Sequence, residues 1–214
     1  LRDKLGDISS LFVSFFLMIS PTMLYFSRFA RNDILIALTT VLLIVGIWKY
    51  IGSGKNGWLY FIAFFCGIGF TVKENQYIIA FLIVVYFIVT NWRQFHDWVL
   101  SRISLSDFNR SADVAVLITL LTIPLSIAFI SLFQEPLGLT LAAKDGQPGI
   151  ATGAPMGAGT YIAIALFIIF LSLSVVFGWF WKKKEFIKIF LFFIIPFILI
   201  YTNFGTHPGG AASG

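Results

Sequence analysis

The stretch Tyr25–Asp33, YFSRFARND, places two arginines and an aspartate between long apolar runs. Immediately after it comes ILIALTTVLLIVGIW, residues 34–48, which is apolar on every side of a helix rather than on one stripe. A second run of the same kind, YIIAFLIVVYFIV, fills residues 77–89. Of the 214 residues 58% are hydrophobic, 25 are Phe and only 12% are charged. A soluble domain carries about 25% charged residues, so this chain lacks the surface that water requires. It reads as an all-α, polytopic membrane bundle, with the bilayer as its first partner. The net charge of +5 follows from topology and not from nucleic acid, which we exclude as a partner.

Seven apolar segments stand out, at roughly 11–27, 34–51, 58–72, 76–91, 115–134, 160–181 and 186–202. Seven spans would place eleven basic residues on the side of the N-terminus and four on the other. The positive-inside rule then expects a cytoplasmic N-terminus in the cell membrane, with residues 28–33, 73–75, 135–159 and 203–214 outside. We expect one transmembrane domain over residues 1–214. The opening at Leu1 and the closing GGAASG read as an internal piece of a longer protein. Cys66, the one cysteine, sits in an apolar run and reads as a small packing residue.

The chemistry collects on the expected outer side. Arg28 and Arg31 are three residues apart, so on a helical continuation they share a face. Two guanidiniums there suit a phosphate or pyrophosphate. Asp33 opens the next span, where a carboxylate could hold a metal or take a proton. The same charges would also suit a turn solvated among lipid headgroups. Lys73 and Glu74 interrupt an apolar stretch with no Gly or Pro turn. An ionisable residue at bilayer depth costs ~2.5–3.5 kcal/mol and is usually answered by a cavity or a partner. Adjacent helical positions point about 100° apart, so one of the two would line a site while the other orients it, unless they pair with each other. GSGKN at 52–56 is not a P-loop, because Asn56 follows the lysine. His96 and His207 have no metal-ligand spacing.

Three stretches, SPTMLYFSRFARNDI, GIGFTVKENQY and YTNFGTHPGGAASG, in that order, resemble a family of archaeal and bacterial multi-pass proteins called flippase-activity-associated. That family belongs to the GT-C superfamily, with the dolichyl-phosphate-mannose–protein mannosyltransferases and the lipid A aminoarabinose transferases. The resemblance implies a membrane glycosyltransferase that takes sugar from a polyprenyl- or dolichyl-phosphate donor on the extracytoplasmic side and passes it to a glycan or protein acceptor. In such enzymes one acidic residue lies in the first external loop and a second in the next. Asp33 matches the second, and Lys73 matches a lysine after the following helix. The first acidic residue has no counterpart in this chain. The candidate set is Asp33 as catalytic residue, with Arg28, Arg31, Lys73, Glu74 and His207 binding substrate. The cofactor stays open, a divalent metal being one candidate. An alternative class is a non-catalytic accessory or flippase component for lipid-linked oligosaccharides.

Overall fold

The computed structural model describes residues 2–21, 33–144 and 153–206. Its regular secondary structure among these residues is helical, apart from an antiparallel bridge between Thr140 and Met156. The helices are α1 (Arg2–Ile19), α2 (Asp33–Ser53), α3 (Gly57–Val72), α4 (Asn75–Thr90), α5 (Trp92–Val99), α6 (Arg110–Thr122), the single turn α7 (Gln134–Leu137) and α8 (Ala158–Tyr201). Between α6 and α7 the chain runs as a 3-10 helix, Pro124–Phe133. The buried core is almost wholly apolar and is built from α2, α3, α6 and the second half of α8. The outward residues are large and apolar too, as lipid contact demands.

Named contacts give the directions of the helices. Gly46 of α2 lies against Phe61 of α3, and Asp33 meets Lys73, so these two run antiparallel. Tyr77 donates to the Leu125 carbonyl at one end of α4, while Asn91 accepts from Ser111 at the other, so α4 opposes α6. Asp113 meets Trp181, and Ser174 donates to the Leu120 carbonyl, so α6 opposes the first half of α8.

α8 then doubles back. Lys182 (φ −137°, ψ 31°) and Lys183 (φ 35°, ψ −122°) leave helical geometry, and the reversal sets the Phe186 ring against Gly178. Only a residue without a Cβ fits there. The second half of α8 runs parallel to α3. Tyr60 donates to Glu185 at its start, Gly67 takes the Phe193 backbone at mid-length, and Tyr201 reaches the Phe70 carbonyl at its end. The bundle therefore has two poles. One holds Asp33, Lys73, Tyr77, Leu125 and Tyr201; the other holds Tyr50, Asn91, Asp113 and Trp181.

The expectation of seven spans needs correction. Among the described residues two helices are long and apolar enough to cross a membrane, Asp33–Ser53 and Ala158–Lys183. The number rises to four if each of two bent pairs counts as one span: α4 with α5, bent by 84°, and α6 with the segment Pro124–Leu137, bent by 58°. The physical reason is length. α3 has 16 residues, a rise of about 24 Å against a hydrocarbon core of about 30 Å. It stops where Lys73 turns extended (φ −165°, ψ 149°). The bend after α6 falls at Pro124, whose ring and missing N–H break the helical ladder.

Candidate functional site

Lys73, the C-cap of α3, is the one residue between α3 and α4 that leaves helical φ/ψ, and its N–H closes α3 on the Gly69 carbonyl. The next turn starts at once, with Gln76 N–H on the Lys73 carbonyl and Tyr77 N–H on that of Glu74. This corner swings the lysine stem across to the start of α2. There the ammonium forms an ion pair with Asp33. The side chains are 38% and 29% exposed respectively, so the pair is anchored but reachable.

Asp33 lies in the first turn of α2, where a carboxylate complements the unpaired N–H groups of the helix end. Glu74 precedes α4, exposed, in helical backbone geometry. Of the two adjacent charges, Lys73 pairs with Asp33 and Glu74 is exposed. Behind the corner, Gln76 is 1% exposed, its amide lies against Gly69, and its Oε1 has no hydrogen-bond partner. Phe70 and Tyr77 pack edge to face, 4.7 Å between ring centres, and wall this end of the bundle.

From this pole α2 and α4 run side by side. Between them lies an apolar cleft of about 280 Å³ lined by Ile44, Ile47, Leu82, Ile83, Tyr86 and Phe87. Its upper edge, Ile44, is about 16 Å of helix rise from Asp33.

Arg28, Arg31 and His207, read from sequence as substrate-binding residues, lie outside the described residues. Among the described residues no three His, Cys, Asp or Glu side chains converge. Cys66 is wholly buried.

The sequence reading missed a second polar cluster at the other pole. Asp113, with a side chain only 8% exposed, accepts from Tyr50 Oη at 2.6 Å and Trp181 Nε1 at 2.6 Å, and Lys182 Nζ lies 3.0 Å away. Three helices meet on one carboxylate. The only sequence signal was an aspartate two residues ahead of an apolar run; its partners come from 63 and 68 residues away. Nearby, Asn109 caps α6 by accepting from Ala112 N–H at 2.8 Å. Arg110 donates to the Ile51 and Gly52 carbonyls at the end of α2.

A helical membrane bundle with a reachable carboxylate–ammonium pair at one pole is the class these features define. Residues 1–109 match the family model of the dolichyl-phosphate-mannose-protein mannosyltransferases, and the chain belongs to that family. The family is one of membrane glycosyltransferases of the GT-C type and implies a lipid-linked sugar donor. The matched half contains Asp33, Lys73 and Glu74; Asp113 and α8 lie beyond it. No curated protein and no solved structure matches the chain.

Proposed function

We propose that this protein transfers a sugar from a polyprenyl-phosphate-linked donor, and that the transfer occurs where Asp33 meets Lys73. The observation that carries the reading is that pair: a base and a cation from two helices, held together at a reachable pole, inside the half of the chain that matches the mannosyltransferases. In this reading the acceptor hydroxyl gives its proton to the Asp33 carboxylate. Its oxygen attacks the anomeric carbon from the side opposite the lipid phosphate. The bond from that carbon to the phosphate oxygen breaks, and the phosphate leaves with the bonding pair. Lys73, parted from Asp33 as the sugar enters between them, neutralises the charge that grows on the leaving oxygen, which is where a cation stabilises a transition state most. The anomeric configuration inverts. The apolar cleft between α2 and α4 would take part of the isoprenoid chain.

The orientation that fits is an extracytoplasmic Asp33 pole in the cell membrane, supported by the basic excess at the opposite pole, where, among the described residues, Lys49, Lys55, Arg93, Arg102, Arg110 and Lys188 lie against Lys73 and Lys144 at this one. Arg28 and Arg31 precede Asp33 by a few residues and would add donors to the phosphate.

The test is donor binding by the purified full-length protein in lipid nanodiscs. A hydrogen bond to a charged group contributes ~1.5–3 kcal/mol, so Lys73→Met should weaken the polyprenyl-phosphate donor about ten-fold or more. Lys73→Arg should keep most of the affinity, because the charge stays. Unchanged binding by Lys73→Met would take the lysine out of the site and favour the accessory reading.

A further inference from the structure

We propose that α5 lies flat on an anionic phospholipid surface and that the pole around it is a lipid-reading face, distinct from the Asp33 site. Four observations meet here. First, α5 turns 84° away from α4, so its axis runs across the bundle rather than along it. Second, its two faces differ. Phe95 and Trp98 turn inward and pack edge to face on Phe108, with ring centres 4.9 and 6.4 Å apart. Trp92 and Val99 turn outward, 62% and 70% exposed, with Leu100 continuing the patch. An amphipathic helix in this pose sets its outer apolar residues at the boundary between headgroups and acyl chains.

Third, all six tryptophans of the chain, Trp48, Trp58, Trp92, Trp98, Trp179 and Trp181, belong to this pole. None lies near Asp33 and Lys73. Three of them, Trp48, Trp92 and Trp179, are exposed, and indole rings gather at membrane interfaces because one edge is apolar and the other donates a hydrogen bond. Fourth, the charge is lopsided. Among the described residues this pole has Lys55, Arg93 and Lys183 beside Arg102, whose guanidinium lies 3.6 Å from Asp97. Its other acids are tied down. Asp97 also lies near His96, Asp107 accepts from the Ser104 N–H, Asp113 is enclosed by donors that include Lys182, and Glu185 accepts from Tyr60 and Lys188. Among the described residues the opposite pole sets Asp33, Glu74 and Glu135 against Lys73 and Lys144. Charge complementarity therefore selects an anionic surface. Each basic residue near such a surface adds roughly five-fold to its affinity.

The test uses the full-length protein in nanodiscs, with Cys66→Ala removing the buried thiol. An environment-sensitive dye is placed at Val99→Cys or, as a mid-bilayer reference, at Val41→Cys. Nitroxide lipids labelled near the headgroup should quench the dye at 99 more than lipids labelled deep in the chain, and the order should reverse at 41. Energy transfer from the dye at 99 to an anionic acceptor lipid should exceed that to a zwitterionic one. Arg93→Gln with Arg102→Gln should bring the two toward parity. A dye at 99 that neither nitroxide quenches would overturn the flat pose and mark this face for a protein partner. Quenching with equal transfer to both acceptor lipids would overturn the anionic preference.

Discussion

Two aspartates open two helices at opposite ends of this bundle, and each is answered by a lysine from another element. Asp113, at the start of α6, is closed in by Tyr50, Trp181 and Lys182 and has almost no contact with solvent. Asp33, at the start of α2, pairs with Lys73 but keeps more than a quarter of its side chain exposed. The same two residue types thus serve different ends. A carboxylate enclosed by donors from three helices is committed to holding them, and any rearrangement would leave a buried charge uncompensated. A carboxylate that a solute can reach, paired with a flexible ammonium, can exchange that partner for a substrate. Enclosure, and not charge, separates the fastening from the site.

The largest effect on stability should come from Asp113→Ala. Removing one member of a buried ion pair costs about 3–5 kcal/mol. Lys182 can swing its ammonium toward water, so the lower end applies. Thermal unfolding in detergent should show a clear loss, and an unchanged midpoint would mean that α6 and α8 are held by apolar packing alone. Trp181→Phe and Tyr50→Phe each remove one hydrogen bond to a charged acceptor, about 1.5–3 kcal/mol. Because both act on one carboxylate, the double variant should cost less than the sum of the two. Simple additivity would show that they do not share Asp113 in the membrane. The smallest stability effect should be that of Asp33→Asn. A half-exposed pair contributes ~0–1 kcal/mol, and its unfolding midpoint should lie close to that of the wild type.

The contrast explains what could be read from sequence. The helical membrane class was legible because runs such as residues 34–48 and 77–89 have no polar face at all. Asp33 and Lys73 were each legible as ionisable residues that break apolar runs. Their pairing depends on the antiparallel packing of α2 and α3, which no local pattern states. Asp113 was passed over because it lies beside a polar loop, where charge is ordinary, and its burial arises only when Tyr50 and Trp181 close over it. The span count failed for a related reason. Apolar composition shows where a helix is greasy, but α3 ends at 16 residues and Pro124 bends the chain, and those limits are set by backbone geometry.

The direct test of the two-pole account compares Asp33→Asn with Asp113→Asn in the full-length protein in lipid, measuring sugar transfer and thermal unfolding on the same samples. Asn keeps the size of the side chain and removes its charge. The account predicts that Asp33→Asn loses transfer by about a hundred-fold, within the ~10²–10⁴ range for a lost general base, while unfolding almost as the wild type does. Asp113→Asn should lower the unfolding midpoint while the folded fraction still transfers sugar at close to the normal rate. Near-normal transfer by Asp33→Asn, with the loss falling instead on folded Asp113→Asn, would contradict the account and move the chemistry to the other pole.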